Sequence, residues 1–176
     1  PELQGKVALV TGAGRDLGIG AAICRRLASE GCRVVVTDVP STSATASLSP
    51  AEAVSDDVGE VVAGIKAEGG AALGLACDVL AEGDIEAAVA ASVESFGSLD
   101  ILVNNAGIGF LMSPLTETSA EDWDKVLGVI LRGAFLATKH AARRMIEQAS
   151  GGRIINIASQ AAKSGFPFAA GYCSSK

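Results

Sequence analysis

Tyr172 and Lys176 stand four positions apart near the end of the chain. On a helix that spacing puts both side chains on one face. A phenol with a pKa near 10 is a poor acid or base at neutral pH, and an ammonium beside it favours the phenolate. The pair is therefore a candidate proton-transfer device, set against the plainer reading of an ordinary polar pair on a helix. A second candidate lies at the other end. Val7-Ala8-Leu9-Val10 runs straight into Thr11-Gly12-Ala13-Gly14-Arg15-Asp16-Leu17-Gly18-Ile19-Gly20, and a helical pattern follows. Glycines there permit a tight turn and let the backbone approach a pyrophosphate held at the helix N-terminus.

A glycine motif alone is weak. This one has a strand before it, a helix after it and an acid, Asp38, at the end of the next strand. The Asp38 carboxylate suits the hydroxyls of an adenosine ribose and repels a 2′-phosphate; otherwise it is a strand-end turn residue. Arg15 pulls the other way, since a guanidinium in the loop would accommodate a 2′-phosphate. A like-charge clash is harder to relieve than a missing contact, so NAD is the first choice of cofactor and NADP the second.

The elements that must position these groups follow from patterning. Short apolar runs at Val7–Val10, Arg33–Thr37, Ala72–Ala76, Ile101–Val103 and Ile154–Ile157 read as strands of a parallel sheet covered on both faces. Between them lie helical stretches at Gly20–Glu30, Ala51–Glu68, Gly83–Phe96 and Ser119–Gln148, with Gly31, Gly69-Gly70, Gly97 and Gly151-Gly152 placed to end them. The order predicts one α/β domain over residues 1–176. It is a Rossmann-type, doubly wound parallel sheet with helices on both faces, of which strands one to five are present. Residues 39–57, rich in Ser, Thr, Ala and Pro, read as a loop inserted after the second strand. The chain starts at Pro1 and stops at Lys176 one helical turn after Tyr172, so both ends are expected to be cuts in a longer chain, and the fragment itself is expected to be inactive.

Composition narrows the classes of partner. A net charge of −6 argues against nucleic acid and anionic membrane surfaces. No apolar run is long enough to span a bilayer, and no secretory signal opens the chain. Cys24, Cys32, Cys77 and Cys173 lack metal-ligand spacing, and His140 is the single histidine, so a metal site is not expected. The cysteines read as free thiols of a cytoplasmic protein, and His140 as a surface helix residue.

Beyond the glycine loop the chain resembles the short-chain dehydrogenase/reductase family along its whole length, and within it members labelled 3-oxoacyl-carrier-protein reductase-like. The matching pieces are Thr11 to Gly20, Cys77-Asp78-Val79, Asn104-Asn105-Ala106-Gly107, Ser159, and Tyr172-Cys173-Ser174-Ser175-Lys176, the last a Y-x-x-x-K motif with Ser159 thirteen residues before its tyrosine. The resemblance implies hydride transfer between NAD(H) and an alcohol or ketone. It gives Tyr172 the proton exchange with the reacting oxygen, Ser159 the holding of that oxygen, and Lys176 a bond to the nicotinamide ribose. Gly12, Gly14, Gly18, Ile19 and Gly20 of the loop are the candidate pyrophosphate segment, with Arg15 directed to the ribose 2′ position; the resemblance assigns Asp78 and Val79 to the adenine pocket, and Asn105, Ala106 and Gly107 to the ribose side. For the asparagines a purely structural role is an equal alternative. The resemblance also implies a homotetramer or homodimer for the full-length protein.

Three departures stand out. The glycine loop carries two extra residues, Asp16-Leu17, which leaves open which amides face the phosphates. Ile130 occupies a position where the family usually has an asparagine belonging to a water-linked proton relay with the lysine; isoleucine neither donates nor accepts a hydrogen bond. Everything the family has after the lysine is outside the chain. Ile130 favours a second reading, a dinucleotide-binding sensor or interaction protein without turnover. Phe110, Met112, Phe166 and Phe168 suggest an apolar carbonyl substrate, or serve only as packing.

Overall fold

The computed structural model describes residues 3–39, 57–109 and 113–176, with the side chain of Asp57 left aside; most of the expected 39–57 insertion, along with Phe110 and Met112, lies outside the described residues. Five strands, β1 (Val7–Val10), β2 (Arg33–Asp38), β3 (Ala71–Ala76), β4 (Ile101–Asn104) and β5 (Arg153–Asn156), form one parallel sheet in the order β3-β2-β1-β4-β5. The order reverses between β1 and β4, and the crevice beyond their C-terminal ends is where such a sheet takes a ligand.

The three central strands are short and apolar because both of their faces are covered. Leu9, Val35 and Leu102 point into one layer, against α3 (Glu82–Phe96) and α5 (Gly133–Glu147). Their neighbours Ala8, Val10, Val34, Val36, Ile101 and Val103 point into the other, against α1 (Ile19–Ser29) and α2 (Asp57–Ala67). Each Leu or Val so buried stabilises the fold by about 1.5–3 kcal/mol. Gly31 and Gly97 follow α1 and α3 with φ of +90°, as glycines that end helices do.

Asp100 sets the register at the other end of the sheet. It is buried, accepts hydrogen bonds from the Val7 amide at 2.9 Å and the Ser98 hydroxyl at 2.8 Å, and pairs with Lys6 at 3.1 Å. Burial pushes its carboxyl up, but these bonds outweigh that and leave it below the ordinary range. Its backbone also bonds Val7 and Arg153, so one residue ties β1, β4 and β5 together.

Helices flank both faces of the sheet as expected, and in β5 Arg153, Ile155 and Asn156 are exposed among the described residues. Two expectations need correcting. The stretch 119–148 is not one regular helix. It divides into α4 (Ala120–Leu127), a single π turn at Gly128–Arg132, and α5. His140 is not on the surface; it is 8% exposed and bonds the Glu82 carboxylate at 2.9 Å, tying α5 to the start of α3. The helix expected from Ala51 is described only from Asp57.

Candidate active site

The crevice is built around Thr11, at the end of β1. Its hydroxyl donates to the Val103 carbonyl and accepts from the amides of Asn105 and Ala106. Asn105 returns the contact, its side-chain amide donating to the carbonyls of Thr11 at 3.0 Å and Gly12 at 2.7 Å. The loops after β1 and β4 are thereby locked to each other. Gly12 is required at this junction: its φ is +64°, and a Cβ would lie 2.6 Å from the Cα of Ala106. Thr11 was not singled out from the sequence, although a strand-end hydroxyl facing the Asn-Asn run was a usable signal.

The extra residues of the glycine loop form a turn closed by the Gly18 amide donating to the Arg15 carbonyl at 2.8 Å. Arg25 on α1 holds that turn, donating to the Asp16 carbonyl and pairing with the Asp16 carboxylate. Leu17 is left fully exposed. This settles which amides are committed. Ala13 donates to the Thr37 carbonyl, Gly14 to Asp38, and Gly18 to Arg15. The amides of Ile19, Gly20 and Ala21, at the start of α1, have no acceptor within the helix. Gly18 offers no side-chain cap, and no acid sits in the first turn. An uncapped helix start with no acid in its first turn suits a pyrophosphate, so the residues present fit a dinucleotide. Gly12, Gly14 and Gly18 give the loop its shape.

Asp38 closes β2. One carboxylate oxygen accepts from the Gly14 amide at 2.7 Å and the other from the Val39 amide at 2.8 Å. A Cβ on Gly14 would meet Asp38 at 2.8 Å, so the loop and the acid are in direct contact. Asp78 likewise serves its own turn, accepting from the Leu80 amide while its amide donates to Asp84. Val79 is buried, where a Cβ on Gly133 would meet it at 2.9 Å. Between these acids, the Cys77 thiol is pushed up to about 12, first by burial and then by Asp84, Asp78 and Asp38. Asp38, Asp78 and Asp84 thus all lie within electrostatic reach of Cys77.

At the other end, α6 (Ala170–Ser175) carries Tyr172, and Lys176 is its C-cap. The Lys176 ammonium lies 5.9 Å from the centre of the Tyr172 ring and donates to the Ile157 carbonyl at 2.8 Å. Burial holds its pKa below the ordinary lysine value. The Tyr172 ring lies against Gly109, whose added Cβ would be 3.7 Å from it. The Tyr172 hydroxyl has no hydrogen-bond partner among the described residues. Ser159, just past β5, caps a short 3₁₀ turn, its hydroxyl accepting from the Ala161 amide at 3.1 Å. Gly107 stands between Lys176 and Ile130: a Cβ there would be 3.7 Å from the ammonium and 3.5 Å from the Ile130 side chain. Ile130 is buried within the π turn. It and Lys176 line a cavity of about 330 Å³, shared with Asn104, Thr138 and Asn156. Asn104, the first residue of the Asn-Asn-Ala-Gly run, donates to Thr138 and Asn156 there and leaves its own Oδ1 buried without a partner among the described residues.

Among the described residues no group of three or more His, Cys, Asp or Glu side chains converges as a metal site would, and no helix is long and apolar enough to cross a membrane.

Comparison with known proteins places this arrangement in a family. The short chain dehydrogenase family model matches residues 6–176. The chain is 41% identical over 174 residues to the D-threitol dehydrogenase of Mycolicibacterium smegmatis, covering 99% of this chain and 60% of that protein. It is 38% identical over 174 residues to the galactitol 2-dehydrogenase of Agrobacterium fabrum, again covering 99% and 60%. An NAD+-bound xylitol dehydrogenase crystal structure superposes with a TM-score of 0.86 at 34% identity, covering the whole of this chain and 61% of that one. The chain thus spans about 60% of the length of these relatives, which are named for polyols and not for carrier-protein-bound substrates. With a matching family model over nearly all its residues and the glycine loop, the Asn-Asn-Ala-Gly run and the Tyr-Lys pair at one crevice, the chain belongs to the short-chain dehydrogenase/reductase family.

Proposed function

We propose that the protein is an NAD-dependent dehydrogenase or reductase that interconverts a secondary alcohol and a ketone, with Ser159, Tyr172 and Lys176 as its catalytic residues. The observation that carries this reading is the Lys176 ammonium 5.9 Å from the Tyr172 ring centre, with the tyrosine hydroxyl unbonded among the described residues. The nicotinamide, when bound, gives or takes the hydride. Tyr172 moves the proton at the substrate oxygen. Lys176, cationic and partly stripped of water, favours the phenolate form and reaches the nicotinamide ribose. Ser159 holds the reacting oxygen through a hydroxyl already oriented by the Ala161 amide. The amides of Ile19 and Gly20 meet the pyrophosphate, Asp38 and Arg15 the adenosine ribose, Asp78 and Val79 the adenine, and Asn105, Ala106 and Gly107 the inner ribose. The Asp38 carboxylate at the end of β2, held against the Gly14 amide, supports NAD over a cofactor with an extra phosphate. A homotetramer or homodimer is part of the same proposal.

The buried Ile130 beside Lys176 favours the second reading, a dinucleotide-binding protein without turnover. One experiment separates the two. The native protein is assayed with NAD+ against a panel of secondary alcohols and polyols, and with NADH against ketones, beside Tyr172→Phe. Turnover abolished by Tyr172→Phe with NADH binding kept within about threefold supports the enzyme. NADH binding without turnover of any panel member supports the alternative, and equal rates in parent and variant remove Tyr172 from the mechanism.

A further inference from the structure

Asp16 is the only acid between Thr11 and Gly20, the segment that leads into the free amides at the start of α1. Helix starts attract anions of any kind. A carboxylate in this loop therefore competes with a phosphate for the same amides and repels it at short range. The structure gives that charge a fixed partner. Arg25, on α1 six residues after Ile19, engages Asp16 with both arms of its guanidinium. One nitrogen donates to the Asp16 carbonyl at 2.9 Å, and the other pairs with the Asp16 carboxylate. Side chains on a helix lean toward its N-terminus, so an arginine at this position is placed to reach the residues just ahead of the helix.

The two bonds do different things. The bond to the carbonyl fixes the backbone of the inserted turn, which the Gly18 amide also closes by donating to the Arg15 carbonyl. The turn is tight, since a Cβ on Gly18 would lie 2.9 Å from that same Arg15 carbonyl oxygen. The bond to the carboxylate fixes the direction of the Asp16 side chain and offsets its charge. A planar guanidinium can hold both groups at once, which the point charge of an ammonium does not.

We infer that Arg25 is a positioning residue for the dinucleotide: it takes up the Asp16 carboxylate and pins the inserted turn, so that the start of α1 is open to the pyrophosphate. This rests on the reading of the glycine loop as the cofactor site. It adds a residue from outside the loop to that site, and it gives the two extra residues a consequence. Asp16-Leu17 brings an acid to the phosphate end of the crevice, and α1 carries the base that neutralises it.

The test is a double-mutant cycle on the native protein, with Arg25→Ala, Asp16→Asn and the two combined, read by fluorescence titration of NADH. Arg25→Ala should raise the NADH dissociation constant at least about tenfold at low salt, because the Asp16 carboxylate is then unpaired beside the phosphates. In the Asp16→Asn background the same substitution should cost less than about threefold. The loss in Arg25→Ala relative to the parent should shrink between about 20 mM and about 500 mM salt, where charges in the loop are screened. Arg25→Gln, which keeps a side-chain amide and no charge, should follow the same pattern. A purely structural role for Arg25 in α1 would give losses that depend neither on Asp16 nor on salt. Equal losses in the two backgrounds, a loss insensitive to salt, or no loss at all would overturn the inference and leave the cofactor site standing. A parent that does not bind NADH would overturn both.

Discussion

Replacing Ile130 by asparagine tests whether the proton path to Tyr172 has been altered in this protein. Ile130 is 6% exposed, and its side chain and the Lys176 ammonium approach the same point above Gly107, at 3.5 and 3.7 Å. Ile130→Asn removes apolar burial worth about 1.5–3 kcal/mol and introduces an amide that costs about 1–3 kcal/mol if left unmatched. The amide need not be unmatched. It would face the cavity that already contains the partnerless Asn104 Oδ1, and at about 330 Å³ that space has room for water to bridge polar groups. A net loss of about 2–3 kcal/mol lies within the usual stability of 5–15 kcal/mol, so the variant should fold. On the chemical side, a restored water-linked path is worth roughly 10²-fold, or about 2.7 kcal/mol of barrier. The same waters would resolvate Lys176, whose pKa burial now depresses, and move it back toward its ordinary value. The expected result is a kcat raised by tenfold to a hundredfold, an alkaline limb of the pH–rate profile displaced upward, and an NADH dissociation constant changed less than threefold. Steady-state rates from pH 6 to 10, with fluorescence titration of NADH, measure all three. An unchanged kcat across that range would show that Ile130 is a packing residue and that the proton takes a route independent of it.

Three further outcomes follow from the same geometry. The parent should bind NADH more tightly than NADPH, and Asp38→Ala should reduce that ratio at least about tenfold, equivalent to roughly 1.4 kcal/mol; a parent preference for NADPH in fluorescence titration would overturn the assignment. Gly12→Ala should lower the melting temperature by about 4 °C or more, because a left-handed backbone and a 2.6 Å approach to Ala106 leave no room for a Cβ; an unchanged melting temperature and cofactor affinity would show that the loop after β4 can move away. Lys139 and His140 hold the Glu82 carboxyl down from 4.5 to about 2. A carboxyl depressed in the folded state lends stability that is full above pH 4.5 and lost as pH falls through about 2, so thermal melts should decline less steeply over that window in Glu82→Gln than in the parent, and parallel declines would remove the clasp.

What could be read from the sequence was whatever had a period or a fixed spacing. Central strands such as Val7–Val10 are apolar at every position, so they read correctly without any partner in view. β5 carries the same kind of run, yet Arg153, Ile155 and Asn156 are exposed among the described residues, because patterning within one strand does not say what packs over it. His140 was misplaced because a lone histidine carries no periodic signal; its burial depends on Glu82, 58 positions away. The π turn at Gly128–Arg132 carries no periodic signal of its own, and it lies where Val129 and Val79 enter the core and a Cβ on Gly133 would meet Val79 at 2.9 Å. The site residues were legible as motifs, yet their division of labour was not. Asp38 and Asn105 each hold backbone in the structure, which the sequence left as one of two readings, and Asp78 does so as well, which the sequence reading had not raised.

Those backbone bonds bear on how the site keeps its shape. A dinucleotide needs amides at fixed positions, but a glycine-rich loop is the most costly segment of chain to order. Here the cost is met by side chains from elsewhere: Asp38 fixes Gly14, Asn105 fixes Gly12, Thr11 fixes the loop after β4, and Arg25 fixes the turn containing the extra residues. Each bond spans from nine to about ninety-five positions of sequence, so the loop reaches its binding shape only when β1, β2 and β4 are already paired. The pairing of the central strands and the competence of the cofactor crevice are therefore one cooperative event. Substitutions at Thr11 or Asn105 should weaken cofactor binding and stability together, whereas those at Tyr172 should affect neither.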